Sequence, residues 1–451
     1  MIDYEFAKEN AIVEITRQEG KRCILSKNHL DDNAIALLRD YLGNDIEFTT
    51  DKRYNFNKIF EETYSITLTD DKINSEFKEV LTKDIESLFV YIMKKAHDFL
   101  SSDIHIIMEE QDCTIKFRIN SLLRTFAKID INRANSLIRV IKLKSDIEIT
   151  KTLSPLEGRF DYDDLSYRVS IIPTVNAEKL SIRVLGNIKD IYTFSDLGLN
   201  EKQIRILTEK ITKSKGFIIV TGATGTGKST TMFTILHYLN DGTKNIISIE
   251  DPVEYRIDGV TQIQVSQEKD IDFQNILKFV LRQDPQIINI GEIRDEDTAK
   301  IAVQSANTGH LVFSTMHTND SISSISRLYD LGVEAFEIAD ALSLIISQKL
   351  IRILCPHCKK SINLDKSILE HYKLYKEGKY FEKVGCPHCF HTGYMSQKAV
   401  FEFLDVDENI KDMIAKNELK LENINLISIK DKIKKLVQTG LCDIEEMVKY
   451  I

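Results

Sequence analysis

The chain has 451 residues, 43% of them hydrophobic and 29% charged, and a formal net charge of −9. It is too long for one ordinary domain, so two to four soluble, globular domains are expected rather than a disordered chain. The acidic balance speaks against a constitutive nucleic-acid binder. No charge-free apolar run is long enough to span a bilayer, and the start, "MIDYEFAKEN", carries acids and no apolar signal core, so membrane contact is expected only through partners.

Residues 1 to about 75 alternate polar and apolar segments around "DDNAIALLRDYLG", which reads as a short amphipathic helix ending at Gly43. "IESLFVYIMKKAHDFL" then shows helical periodicity. "SDIHIIME" and "CTIKFRINSLLRTF" read as two alternating strands around a turn, and "SYRVSIIPTV" and "KLSIRVL" as further strands. This block, about 86–190, predicts an α+β unit. A polar connector, "GNIKDIYTFSDLGLN", leads to residue 200. Beyond it the apolar strands "GFIIVTG", "NIISIED", "IINIGE" and "LVFSTMH" alternate with helices. That alternation predicts a parallel α/β sheet with ligands at the carboxyl ends of its strands. Two Cys-Pro-His-Cys tetrapeptides follow, and the last fifty residues read as helical and charged. The remaining cysteines, Cys23, Cys113 and Cys442, are scattered; a reducing cytoplasm fits them as small buried hydrophobes.

The stretch Gly222, Ala223, Thr224, Gly225, Thr226, Gly227, Lys228, Ser229 fits the P-loop pattern G-x-x-x-x-G-K-[ST] in full, with Thr230 continuing it. It follows the strand "GFIIV" and precedes the helical pattern "STTMFTILHYL", the context the pattern requires. The glycines let backbone N–H groups turn inward around a β-phosphate. Lys228 is placed to neutralise β/γ oxygens, and the Ser229 hydroxyl to bind Mg²⁺. "QIINIGEIRD" delivers Glu292 to a sheet edge, where a carboxylate can orient water or take its proton. "SIEDPVEY" places Glu250, Asp251 and Glu254 at another edge; a cation or water network explains them, and a solvated acidic turn explains them equally. "TGHLVFSTMHTND" brackets a strand with His310 and His317, each readable as a phosphate sensor or, taken singly, a satisfied core histidine.

Cys355, Cys358, Cys386 and Cys389 form a C-x₂-C…C-x₂-C pattern. Thioredoxin-like redox chemistry would need a strand before the motif, a helix after it and a domain of its own. Paired tetrapeptides instead predict a closed, structural tetrathiolate Zn²⁺ site, although the spacer is longer than usual. Each tetrapeptide would form a tight knuckle, with His357 and His388 pointing away. So short a segment cannot bury a self-sufficient core, and the metal would supply what packing cannot.

Taken together these segments resemble the secretion-superfamily ATPases that power type II secretion and type IV pilus assembly. The resemblance rests on "VTGATGTGKSTT", "SIEDPVEY", "LRQDPQIINIGEIRD" and "ANTGHLVFSTMHTND", in family order. "SSDIHI" and "RVSIIPTVNAEKLSIRVL" are similar to the family's second N-terminal domain, and "LIRILCPHCKK" with "GCPHCFHTGYMSQKAVFEFL" to its zinc module. More loosely, "DNAIALLRDYLGNDIEFTTDKRYNFNKIFEETYS" resembles the end of the first N-terminal domain. The resemblance implies an α/β fold with a RecA-like P-loop ATPase domain at 201–350. Before it would lie a truncated, partner-binding first N-terminal domain (1–75), the second N-terminal α+β domain (86–190) and a linker (191–200). After it would come a zinc module (351–395) and a helical C-terminal region (396–451). It further implies ATP, Mg²⁺ and Zn²⁺ as ligands. The expected assembly is a cytoplasmic homo-hexamer, peripheral at the inner membrane through platform and cytoplasmic-domain proteins of the machine, with no direct nucleic-acid contact. In the family each site is completed by arginines of the second N-terminal domain, at the positions of Arg168 and Arg183 here; spacing alone reads both as solvated strand residues. Arg282 and Arg294 flank the Glu292 strand as weaker candidates.

The chain departs from the family pattern in places. The R-x-R-x-D-G hairpin reads "KFRINS", with Lys116 for the first arginine and Asn120-Ser121 for Asp-Gly. P-Q-D-G-R reads "PLEGR", and the glycine of H-G-E is Ala177. All four nucleotide boxes are intact. The expected function is an ATPase of pilus or pseudopilus assembly. The first alternative is a retraction, conjugation or competence-type DNA-uptake ATPase of the same superfamily; for retraction and conjugation the tetracysteine pattern speaks against it. Less favoured are a nucleic-acid motor, against which the acidic balance counts, and a non-hydrolysing scaffold, against which Lys228 and Glu292 count.

Overall fold

The computed structural model describes residues 11–16, 22–28, 30, 35, 39, 46–50, 56, 71–151, 154–185, 193–265, 272–375, 378–420, 424 and 426–450. The chain divides into two compact units, Met1–Gly158 with Val169–Ile182, and Arg159–Arg168 with Arg183–Ile451.

Towards the amino end, β1 (Ile12–Thr16) pairs antiparallel with β2 (Arg22–Ser26), which pairs parallel with β3 (Glu47–Thr49). The helix expected around "DDNAIALLRDYLG" lies almost wholly outside the described residues. Helix Asp71–Val80, unmarked by the sequence reading, precedes helix Ile85–Asp98. Asp84 caps the latter, accepting from the Ser87 N–H at 2.8 Å. Its Leu88, Phe89, Ile92, Met93 and Ala96 form one buried face. A six-stranded sheet follows: β4 (Asp103–Met108), β5 (Asp112–Ile119), β6 (Leu122–Asp130), β7 (Leu156–Tyr162), β8 (Leu165–Pro173) and β9 (Glu178–Leu185), in the order β6-β5-β4-β9-β8-β7. "CTIKFRINSLLRTF" therefore supplies two strands, not one. They turn at Asn120 and Ser121, both left-handed at φ 49° and 64°. Two successive positive φ values make a turn whose twist suits a hairpin, and Asn reaches that region at little cost.

The second unit is built on a seven-stranded sheet. In chain order its first six strands are β10 (Gly216–Thr221), β11 (Ile246–Glu250), β12 (Thr261–Gln264), β13 (Ile287–Ile290), β14 (Leu311–Met316) and β15 (Leu342–Leu354). A small antiparallel pair, β16 (Lys360–Ile362) and β17 (Tyr380–Glu382), precedes the seventh, β18 (Tyr394–Asp405). The order is β12-β11-β13-β14-β10-β15-β18, parallel throughout except for β15 with β18. Both faces are covered. Ile219, Ile249 and Ile290 pack with Leu277, Val280 and Ala302 on one side, and Ile218, Val220 and Phe313 with Leu207, Ile235 and Leu236 on the other. Burial on both faces is why β10, β13 and β14 read as unbroken apolar runs.

The carboxyl-terminal third differs from expectation. Region 396–451, expected to be helical, opens with β18; helices Glu408–Ala415, Ile429–Gln438 and Ile444–Val448 come only afterwards. The boundary expected at 350 falls inside β15, which runs on to Leu354, next to Cys355. The cysteine segment is thus rooted on the far ends of two long core strands, with Leu354 paired to Tyr394. It also leans on an apolar cluster of Ile351, Tyr380, Val400, Ile433, Val437 and Met447, half of them from the last helices.

Candidate nucleotide site and metal centre

The P-loop leaves β10 at Gly222 and enters helix Lys228–Leu239 at Gly227. Both glycines are at positive φ, 152° and 86°, and both are crowded. A Cβ on Gly222 would lie 2.5 Å from the Gln348 carbonyl oxygen, and one on Gly227 2.9 Å from Gln348 Nε2. A Cβ on Gly225 would meet nothing within 4 Å, so the middle of the loop is its open side. Thr226 is buried and its hydroxyl donates to the Ala223 carbonyl at 2.9 Å, closing the loop on itself. Ala223, Thr224 and Gly225 form the exposed lip. No side chain caps the helix, so the first N–H groups keep the partial positive charge that favours an anion. The Lys228 ammonium is buried and donates to the carbonyls of Gly222 at 2.8 Å and Ala223 at 3.1 Å. Burial pulls its pKa below the ordinary lysine value, and the Glu292 and Glu254 carboxylates pull it back up. This donor set fits a polyphosphate: a cation, orphan helix N–H groups and an exposed Ser229 hydroxyl on the first turn.

Parallel pairing brings the other strand ends alongside. Thr221 pairs with Met316 and Ile249 with Ile290, and the Gly291 N–H donates to the Ile249 carbonyl at 2.7 Å. Glu292, just beyond β13, contacts His317 Nε2 at 3.3 Å through one oxygen and the Arg294 guanidinium through the other. Arg294 also approaches Asp251 at 3.8 Å. The hydrogen bond to Glu292 raises the Arg294 pKa further. Glu250 is held by polar neighbours: its Oε1 accepts from Ser248 Oγ at 2.7 Å and Gln262 Nε2 at 2.9 Å, and Asn289 Nδ2 donates to Ser248 Oγ at 2.8 Å. Thr221 Oγ1 accepts from the Thr318 N–H at 3.1 Å, tying the histidine segment to the end of β10.

His310 is not part of this cluster. It precedes β14 at the strand's amino end, opposite His317, and its Nδ1 lies 3.0 Å from the Ser305 carbonyl. β14 runs between the two histidines, so within the chain His310 lies a strand's length away from His317 and Glu292. Arg168 lies on β8 and Arg183 on β9, each at a less buried position of an alternating strand. Arg282 follows the cap of helix Phe273–Val280, with its guanidinium 5.7 Å from the Phe279 ring centre. The sequence reading had no signal for Gln348, Thr318, Ser248, Asn289 or Gln262, single polar residues whose value comes from pairing across the sheet.

The four sulfurs of Cys355, Cys358, Cys386 and Cys389 lie within 4.8 Å of one another. Three of their separations are 3.8, 3.8 and 3.9 Å. Thiolates about 2.3 Å from a central zinc sit about 3.8 Å apart in a regular tetrahedron, so the set fits Zn²⁺; a disulfide would bring sulfurs to about 2.05 Å. Backbone N–H groups of Gly385, Cys386 and Gly393 point at Cys358 and Cys389 sulfurs at 3.2–3.3 Å, which suits thiolates. Burial, with the neighbouring Cys389 sulfur, pushes the Cys358 thiol up to about 12; a bound cation reverses that. His357 and His388 are exposed and stack on each other, ring centres 4.4 Å apart. Among the described residues this is the group of cysteine, histidine and acidic side chains arranged to hold a metal ion.

Residues 78–449 match the family described as Type II/IV secretion system protein. The type IV pilus assembly ATPase PilB of Thermus thermophilus is 34% identical over 450 residues, covering 94% of this chain and 50% of the relative. The putative type II secretion system protein E of Escherichia coli K12 is 36% identical over 358 residues, covering 78% of this chain and 72% of the relative. The chain thus spans about half the length of the Thermus relative. Among solved structures, the Legionella pneumophila ATPase DotB superposes with a TM-score of 0.61 at 18% identity, covering 80% of this chain and 94% of that one, a likeness of fold. With strand ends, P-loop and cysteine cluster in place and the family's pattern matched over most of this chain, the chain belongs to the Type II/IV secretion system protein family.

Proposed function

We propose that the chain is a Mg²⁺-dependent ATPase that powers pilus or pseudopilus assembly. Its support is the convergence of Lys228, Glu292, Asp251 and His317 on the carboxyl ends of four adjacent strands. The P-loop N–H groups and Lys228 would bind the β- and γ-phosphates, and Ser229 would hold Mg²⁺, which supplies charge neutralisation at the phosphate oxygens. Glu292 would take the proton of the attacking water as its oxygen bonds to the γ-phosphorus and the bond to ADP breaks. His317 and Arg294 would fix the carboxylate, and Glu250 and Glu254 would order the water and metal side of the pocket. Arg168 or Arg183 would stabilise the developing charge, from the same or a neighbouring subunit of a homo-hexamer. Cys355, Cys358, Cys386 and Cys389 would hold one Zn²⁺. The domain plan would be the expected one except at its carboxyl end, where β15 and β18 would belong to the ATPase sheet and the zinc module would lie between them.

The relatives' names, a pilus assembly ATPase and a type II secretion protein, support a place at an inner-membrane machine, reached through its platform and cytoplasmic-domain proteins. No helix among the described residues is long and apolar enough to cross a membrane. The test is Mg²⁺-dependent ATP turnover by the purified chain. Lys228→Ala should abolish ATP binding. Glu292→Gln should keep binding but lose about 10²–10⁴ in turnover, because an amide cannot take the proton. A Glu292→Gln protein turning over at the unmodified rate removes Glu292 from the mechanism.

A further inference from the structure

Beneath the P-loop lies a buried amide that the phosphate-binding pattern does not include. Gln348, on β15, is 2% exposed. Its Nε2 donates to the Thr226 carbonyl at 2.7 Å, and its Oε1 accepts from Thr231 Oγ1 at 2.8 Å. The amide can sit only one way round: a carbonyl accepts only from the NH₂ side, which leaves the oxygen for the threonine hydroxyl. Thr231 is fully buried in the first turns of helix Lys228–Leu239, so it serves as a fixed donor. The backbone of Gln348 is equally constrained. Its neighbour Ser347 pairs with Thr221, the last residue before the loop, and its carbonyl fills the space a Gly222 side chain would need. Gln348 therefore touches the start and the end of the loop at once.

We propose that Gln348 is a positioning residue for phosphate binding, acting through the Thr226–Gly227 peptide; this rests on reading the loop as a nucleotide site. A trans peptide points its C=O and N–H in opposite directions. Pinning the Thr226 carbonyl onto Gln348 aims the Gly227 N–H away from β15, into the loop, where a β-phosphate needs a donor. Without the pin the peptide is free to rotate, and a donor at the centre of the anion site loses its preorganisation. Nucleotides that carry a β-phosphate depend on this contact; AMP, which lacks one, does not.

The experiment measures dissociation constants of ATP, ADP and AMP for the full chain, for Gln348→Met, which keeps the volume but not the amide, and for Thr231→Val. ATP and ADP should weaken about ten-fold in Gln348→Met, the size of one or two net hydrogen bonds, and about three-fold in Thr231→Val. AMP should change by less than about two-fold in both. Equal weakening of all three nucleotides means general damage and overturns the proposal, as does unchanged ATP and ADP binding in both variants. Should Gln348→Met fail to fold, the Thr231→Val pattern decides alone. Absence of ATP and ADP binding by the unmodified chain would sink the nucleotide reading itself, an outcome distinct from normal binding with unaffected variants.

Discussion

Strand β15 passes under the P-loop at Gln348 and ends beside Cys355, so one element serves two sites built on opposite principles. The P-loop is held from outside. β10 on one side and β15 beneath fix its backbone, β10 is buried along its whole length, and the glycines are required by atoms already in place. The thiolate cluster reverses this: its ligand sulfurs come from two turns, and the strands beside them, β16 and β17, have three residues each. A preformed sheet makes the first site independent of what binds it. In the second, a bound Zn²⁺ would contribute to the fold of the part that holds it. The sharpest way to test that contrast is to perturb each site and ask how far the damage travels.

The largest expected effect is on chemistry. If Arg168 or Arg183 completes the pocket, its change to Ala should cost about 10³–10⁵ in turnover, the contribution of an arginine finger, with little change in ATP affinity. Mixing Arg183→Ala with Lys228→Ala protein should restore partial activity if the arginine comes from a neighbouring subunit. Activity no higher than the sum of the two variants counts against a shared site.

A smaller effect is expected where the metal end is braced. Arg352 of β15 donates through Nε to Glu446 Oε2 at 2.8 Å, and the two side chains are 8% and 2% exposed. The guanidinium lies over the Tyr394 ring at 4.7 Å, and the Tyr394 hydroxyl donates to Asp443 at 2.7 Å. Glu446→Met would leave a buried cation without its carboxylate and should cost about 3–5 kcal/mol. Hydrogen exchange over helices Ile429–Gln438 and Ile444–Val448 reads this as faster opening. The double change with Arg352→Met should recover most of the loss, since an apolar pair tolerates burial. Full protection in Glu446→Met alone would show that the apolar cluster, not the ion pair, docks these helices.

How much of this was legible in sequence divides along the same line. The P-loop, Glu292 and the strand ends at Asp251 and His317 were legible because local pattern and local structure coincide: strand, loop and helix are contiguous. The cysteines were legible because tetrathiolate spacing is itself the signal. Gln348 and Glu402 were not. Gln348 acts on Thr226, and Glu402 accepts from the N–H groups of Ser321 and Ile429, heading two separate helices. Such partners lie far apart in the chain and leave no periodic trace. β15 was missed for a related reason: in "LSLIISQKLIRIL" the consecutive polar residues Ser347, Gln348 and Lys349 break both the two-residue and the 3.6-residue pattern, so periodicity alone assigns it to neither strand nor helix. His310 was grouped with His317 because one short strand separates them in sequence, although that strand carries them to opposite ends.

The smallest expected effect is the most informative. Cys389→Ser should lower bound zinc from about one per chain to none, because a tetrathiolate site does not survive loss of a ligand. The turns at Cys355–Cys358 and Cys386–Cys389 should then open, and protease should cut there first. The damage should stop short of the P-loop. Between Cys355 and Gln348, β15 is clamped by β18 along its length and by Glu446 at Arg352; on the other side of Gln348, from Leu342 to Ser347, it is also clamped by β10. The last helices keep their own apolar cluster around Ile433, Val437 and Met447. ATP affinity in Cys389→Ser should therefore change by less than about three-fold, within about 0.7 kcal/mol, while secretion or piliation in cells fails if the module docks a membrane partner. Full cellular function without zinc would remove the docking role. A ten-fold loss of ATP affinity would mean that the thiolate end of β15 positions Gln348, and that the two sites are one.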